Sequence, residues 1–322
     1  MSEVRDTSFG WQVIVGSLDM DVDDYMADTM FGLPMSQTFL YGTTRDADGH
    51  LWTPMRRLTA TGGEERLLLQ SDVESSDLKP NRAGRFTSTG AGARRSRDGT
   101  TLKLESAPDQ PGNRFLIEAN PSTLHWVEDG TLELHGRAVP PSLHWHLPDR
   151  KLGMYYLSQI YEVEGQVLGR DVRGFIPVDQ IFMHGMIYKD DLFVGEKAEV
   201  AWYTWATRYT DGTFQGGHFM IGHRKLGFAI VYSDTGMELC TTDVDGEVTL
   251  DASGIWPERV EITTAGQHWE FLPAPTGHMV SLMPMPNPQN EGRWQRVGET
   301  RTPAHWFAWG EVAPAHGTKP RR

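Results

Sequence analysis

Short apolar runs cut by turn-forming pairs recur along most of this chain. In the second half they predict strands over 199–209, 214–223, 225–233, 237–244, 247–252, 259–265, 268–274, 278–285, 293–301 and 305–313. The first half repeats the style over 40–46, 51–58, 65–72, 85–90, 101–107, 114–120, 122–129 and 131–138. Five Asp-Gly pairs, Asp48-Gly49, Asp98-Gly99, Asp129-Gly130, Asp211-Gly212 and Asp245-Gly246, punctuate these runs. Asp-Gly between extended segments is a strong hairpin signal, because both residues tolerate positive φ. Helical periodicity is confined to 19–31, where several aspartates precede the apolar positions as they do at a helix N-terminus.

Many strands in sequence joined by tight turns predict an all-β protein of antiparallel sandwiches or barrels with few helices. A chain of 322 residues is comfortable for two such domains. The natural division is 1–165 and 166–314, followed by a polar tail, 315–322, expected to be disordered. Between the two halves, 140–195 reads as less regular and holds the densest set of ionisable groups among apolar ones. Sites often form where two units meet.

Composition narrows the function classes. A net charge of -13 argues against nucleic acid as the main partner, since phosphate binding depends on Lys and Arg. The single cysteine, Cys240, excludes an intramolecular disulfide and any multi-cysteine metal centre. No segment approaches the roughly 20 apolar residues that span a bilayer, and the first residues lack a basic start followed by an apolar run, so a cytoplasmic protein is expected. Eleven Trp, fourteen Met, thirteen Phe and nine Tyr point to aromatic-lined space inside the β units. Phosphate-binding loops, dinucleotide fingerprints, a GxSxG elbow and HExxH are all missing, and no cofactor is expected.

The candidate chemistry clusters in VDQIFMHGMIYKDD (178–191). Asp179 and His184 are acid–base candidates: a carboxyl in an apolar pocket is pushed up toward neutrality, where imidazole already titrates. Gln180, Met183 and Tyr188 accompany them. Taken singly, Asp179 also fits a turn cap and His184 a backbone hydrogen bond. Together the residues favour a site. In EVAWYTWATRY (199–209), Trp202 and Trp205 fall on opposite faces of a strand, and Tyr203 shares a face with Trp205. Whichever face turns inward offers aromatic surface, with a Tyr203 phenol able to bond a ligand. Core packing is the plainer reading of such a stripe. His144 and His146 are two apart and share a strand face, the spacing of a metal-ligand pair, with His184, His218 or His223 as third ligand. Two rim imidazoles bonded to backbone are the plainer reading. His218 and His223 are five apart, so at most one points inward.

The junction GFIPVDQIFMHG, the strand AWYTWATRYTDGTF and the later HWFAWGEV resemble the carotenoid hydratase (hydroxyneurosporene synthase) group, whose relatives include Diels–Alder cyclases. Gly174, Phe175 and Asp179 fit that group's junction pattern. Gln180 stands where the histidine is usual, leaving His184 as its substitute, and Phe182–Gly185 replace a Trp-Gly pair. The resemblance implies two consecutive lipocalin-like β domains around an apolar tunnel for a terpenoid, steroid or polyketide, and chemistry without a redox cofactor: hydration, dehydration, a double-bond shift or cyclisation. Asp179 or His184 would be the base, with Tyr188 or Tyr203 donating a hydrogen bond. Trp202, Trp205, Gln180, Met183, His146, Tyr156 and His218 would contact a hydrophobic small-molecule substrate. Two alternatives stay open, a non-catalytic carrier or sensor and a metal-dependent enzyme using His144 and His146. The oligomeric state is also open, a homodimer included.

Overall fold

The computed structural model describes residues 12–16, 23, 26–59, 64–83, 87–91, 93–108, 113–147, 153–187, 198–279 and 287–321. The first strands are β1 (Gln12–Gly16), β2 (Thr29–Met30), β3 (Leu33–Tyr41), β4 (Thr43–Asp46) and β5 (Leu51–Thr59). They are followed by β6 (Glu64–Ser71), β7 (Lys79–Pro80), β8 (Thr87–Ala91), β9 (Ala93–Asp98) and β10 (Thr101–Ser106). Three long strands, β13 (Leu132–Leu147), β14 (Met154–Val167) and β15 (Arg170–Met183), come after β11 (Phe115–Ala119) and β12 (Thr123–Glu128). The second half holds β16 (Glu199–Tyr209), β17 (Phe214–Gly222), β18 (Gly227–Ser233), β19 (Gly236–Thr241) and β20 (Val244–Leu250). It ends with β21 (Pro257–Thr264), β22 (Gln267–His278), β23 (Gln289–Arg296) and β24 (Pro303–Val312). Among the described residues, helix is found at Asp23 and Met26, inside the segment expected to be helical, at Ala198, and in a 3-10 turn at Pro314–His316. None of the helices found among the described residues is long and apolar enough to cross a membrane.

Two antiparallel sheets result. The first has 15 strands, the second nine in the order β19-β18-β17-β16-β24-β23-β22-β21-β20. The second is almost closed, because β20 returns to lie against β17 and β18. Each sheet wraps its own core. Leu58, Leu67, Leu102, Ile117 and Trp126 meet inside the first, and Tyr203, Trp205, Phe219, Trp269 and Trp294 inside the second. A third core, with Trp145, Ile181, Met183, Phe228, Phe307 and Trp309, lies between the two sheets. Alternation along the strands creates this arrangement: on β16 Tyr203 and Trp205 face the second unit's interior, while Ala206 packs into the seam.

Four of the five Asp-Gly pairs sit in turns; Asp245-Gly246 lies within β20 instead. The expected irregular junction is where the structure differs most. Residues 140–147, 154–167 and 170–183 belong to the longest strands among the described residues, and the first sheet continues through Met183. From Met154 to Tyr161 and from Gly174 to Met183 every residue is buried. A strand covered on both faces shows no polar–apolar alternation, so its period is hidden in the sequence. The tail also departs from expectation. Through Arg321 it is held by backbone bonds: Val248 N–H donates to Thr318 O, Arg224 N–H donates to Arg321 O, and Arg321 N–H donates to His223 Nδ1. Paired backbone groups at a barrel end give the tail a defined path.

Polar clamps fix the two units across the seam. The buried Glu291 carboxylate on β23 accepts hydrogen bonds from Thr43 Oγ1 (2.8 Å) and Arg45 Nη2 (2.9 Å) on β4. The Arg45 guanidinium lies 4.1 Å from the centroid of Trp306. Glu291→Ala should cost about 1.5–3 kcal/mol, the range for hydrogen bonds to charged groups. Calorimetry should show the units melting less cooperatively. A single unchanged transition at the parent temperature would mean the clamp contributes nothing.

Candidate functional site

The first half of β14 and the second half of β15 turn one face to the seam. Tyr156 and Ser158 on β14 share that face with Asp179 and Ile181 on β15, and Ser158 stands directly opposite Asp179 in the ladder. Tyr41, the last residue of β3, comes alongside. The facing wall is Trp202 and Thr204 on β16, His218 on β17, Gln289 on β23, and Trp309 and Glu311 on β24. A cavity of about 70 Å³ lies between the walls, lined by Tyr41, Met55, Tyr156, Asp179, Trp202 and Glu311 among others.

Asp179 is the centre of this arrangement. It is 1% exposed. The Tyr156 hydroxyl donates to its Oδ2, and Oδ1 has no hydrogen-bond partner among the described residues. Burial pushes its pKa up to about 6, although the hydroxyls of Ser158, Tyr156 and Tyr41 pull the other way. The nearby carboxylate in turn adds to the burial that drives the Tyr41 phenol well above its ordinary value. Tyr41 donates to Thr204 Oγ1 at 3.0 Å, and Thr204 Oγ1 is 3.2 Å from His218 Nδ1. A line of hydroxyls and an imidazole therefore crosses from one unit to the other. Burial depresses His218 to about 3, so it remains neutral at physiological pH.

The opposite wall carries a second acid. Gln289 Nε2 donates to Glu311 Oε2 at 2.6 Å, and Trp309 Nε1 donates to Gln289 Oε1. Glu199, buried beside Glu311, is driven well above the usual carboxylate range first by burial and then by the neighbouring carboxyl. Two carboxyls this close titrate as a unit, and both burial and mutual repulsion favour a shared proton. Asp179 and Glu311 therefore face one cavity in different settings, the first among hydroxyl groups and the second beside another carboxyl.

Sequence reasoning singled out three of the cavity-lining groups, Asp179, Tyr156 and Trp202, and one behind them, His218. Met183 is in the seam core. Others are placed elsewhere by strand parity. Gln180 is one step from Asp179 and shares a face with Val178 and Phe182, which pack in the first unit's core. Tyr203 and Trp205 belong to the second unit's core; the Tyr203 ring rests on Gly310, where a Cβ would come 2.0 Å from it. His184 follows β15 and is exposed. Tyr188 lies outside the described residues.

His144 and His146 do share a face, away from the seam. His144 is held between Ser142 and the Tyr155 hydroxyl, and His146 stacks on Phe31 with centroids 5.0 Å apart. Among the described residues neither belongs to a group of three metal-ligating side chains. Tyr41, Thr204 and Glu311 were not singled out by sequence. Glu311 alone had a signal, a carboxylate set in the apolar run HWFAWGEV.

No family model matches the chain, and no curated protein sequence does. Its structure is similar to solved ones. CghA matches with a TM-score of 0.53 at 13% identity, over 95% of this chain and 99% of CghA. CghA with Sch210972 gives 0.52 at 13% identity over 94% and 98%. A protein described as an AttH from Nitrosomonas europaea gives 0.50 at 13% identity over 90% and 95%. The chain therefore has the fold of these proteins along nearly its whole length, the two-unit β architecture that the sequence resemblance implies.

Proposed function

We propose that this protein is a lyase or isomerase that moves a proton on an apolar small molecule held in the seam between its two units. The reading rests chiefly on Asp179. A buried carboxylate with a pKa near 6, one oxygen oriented by Tyr156 and the other without a hydrogen-bond partner among the described residues, at a cavity wall, suits a general base at neutral pH. A protein that only carried a ligand would gain nothing from such a group, which costs stability when ionised. The Glu199–Glu311 pair supplies the complementary acid. Asp179 removes a proton from carbon, and the protonated pair, through Glu311, protonates the departing or developing oxygen. Run in reverse, the same two groups add water across a double bond. The walls offer Trp202, Trp309, Met55 and Ile181 to a hydrocarbon ligand, whose body is accommodated by repacking of these side chains around the 70 Å³ cavity. A neighbour of the same fold, CghA, has been crystallised with Sch210972, which supports a ligand-binding role for the architecture.

The reading is tested by extracting whatever apolar molecule co-purifies with the protein, returning it to fresh enzyme, and following it by mass spectrometry. A change in mass by one water, or an isomer of equal mass, is expected; recovery of unaltered ligand from a saturated complex would point to a carrier. Tyr156→Phe gives a finer check. Its hydroxyl holds the Asp179 pKa down, so removing it should move the acidic limb of the pH–rate profile to higher pH. A limb that stays in place would separate Tyr156 from the base.

A further inference from the structure

The outer face of the first unit carries a cluster that the seam chemistry does not use. His125 on β12 and His135 on β13 are directly opposite in the antiparallel ladder, and Glu133 precedes His135 by two residues on the same face. The two imidazoles stack at 4.5 Å between centroids with planes 8° apart. Both Nε2 atoms approach the same Glu133 oxygen, His125 at 3.5 Å and His135 at 3.3 Å. His125 Nε2 is shielded from solvent yet makes no hydrogen bond among the described residues. Its other nitrogen, Nδ1, is 3.4 Å from Glu118 Oε2 on β11. His125, Glu133 and His135 form the one group of three metal-ligating side chains found among the described residues, with donor atoms within 4.8 Å of one another.

We propose that His125 Nε2, His135 Nε2 and one carboxylate oxygen of Glu133 bind a divalent transition-metal ion of the zinc class. Two imidazoles and a carboxylate are a donor set for zinc, nickel or copper rather than for magnesium or calcium. Three protein donors leave a fourth position for water. The Glu118 carboxylate on His125 Nδ1 is the outer support that metal-bound histidines usually have: it fixes the tautomer so that Nε2 presents its lone pair. A shielded nitrogen without a partner then has one. The side chains of His135 and Glu133 are 60% and 59% exposed, so they are free to close from the 3.3–3.5 Å spacing of a hydrogen-bonded cluster onto an ion. The ion would tie the β12–β13 hairpin together at the edge of a broad depression that also contains Glu162 and His305.

The test uses the full chain, stripped with a chelator and titrated with zinc chloride by calorimetry, then with cobalt to read the ligand field. One equivalent should bind at micromolar protein, with tetrahedral cobalt absorption and a raised melting temperature. His135→Ala and His125→Ala should each weaken zinc binding by at least the roughly 10–100-fold seen when even outer supports of metal sites are lost. Glu133→Gln, isosteric and exposed, should do the same without disturbing the fold, and His305→Ala should leave binding intact. Absence of saturable binding, or binding of unchanged strength in the His125 and His135 variants, would overturn the assignment. Loss in His305→Ala with retention in Glu133→Gln would also overturn it.

Discussion

Asp179→Asn should reduce turnover by roughly 10²–10⁴-fold, the usual contribution of a well-placed base, while the protein stays folded. The amide keeps the shape of the side chain and can still meet Tyr156, but it accepts no proton. The parent enzyme should gain activity as the pH rises through about 6, because only the ionised carboxylate serves as base, and the variant should lack that limb. Stability should move oppositely. The folded-state pKa is raised from the ordinary 3.8, so the native chain holds a proton that the unfolded chain has lost between about pH 4 and 6. Stability from this group is present at low pH and disappears as the pH climbs through the folded value. The loss is about 3 kcal/mol from a shift of roughly two units at 1.36 kcal/mol each. Asp179→Asn never ionises and should therefore melt at or above the parent temperature at pH 8. An inactive, more stable variant is the signature of a strained functional group. Full activity in Asp179→Asn would end the proposed mechanism, whatever its stability.

The largest expected loss of stability comes from the first unit's interior. Arg56 and Glu128 are fully buried there, joined by Arg56 Nε donating to Glu128 Oε1 at 2.5 Å and by Nη2 donating to Oε2. Trp126 Nε1 donates to the same carboxylate at 2.7 Å, and the guanidinium sits 4.1 Å from the Phe115 ring centroid. Burial outweighs the attraction of Arg56 and holds the Glu128 pKa above its ordinary value. Arg56→Met leaves that carboxylate without a counter-charge and should cost about 3–5 kcal/mol. The deficit should be worst at high pH, where Glu128 must ionise, and ease as the medium is acidified and it takes up a proton. Adding Glu128→Leu to Arg56→Met should restore much of the loss, since an apolar pair of similar volume often replaces a buried ion pair without penalty. Thermal melts of the four proteins at pH 5 and pH 8 complete the cycle. A single variant as stable as the parent would show that solvent reaches the pair.

The same physics decides what could be read in advance. Strands with one wet face announced themselves: 247–252 and 259–265 appear as β20 and β21 within a few residues. The strands that build the site did not, because β14 and β15 are covered on both faces and their alternation is masked. Asp179 was legible as a carboxylate among apolar neighbours, and its burial and raised pKa follow from that setting. The inward face of β16 was not legible, since both faces carry aromatic rings; Trp202 proved to face the cavity and Trp205 the second core. Tyr41 meets Thr204 across 163 residues of sequence, and no local pattern encodes a contact so distant. The expected break after residue 274 is spanned by β22, which continues through Pro275 to His278 with a shift in register.

The division of the cavity between two separately folded units ties reactivity to assembly. Asp179 owes its basicity first to the exclusion of water, and water is excluded only while Trp202 and Trp309 of the second unit stand against it. Any excursion that parts the halves wide enough to admit solvent returns that carboxyl toward an ordinary weak base and breaks the Tyr41–Thr204 bond in the same movement. On the proposed mechanism, the carboxyl would be a strong base only while both walls stand against it, so proton abstraction would require the two halves to be assembled around the substrate.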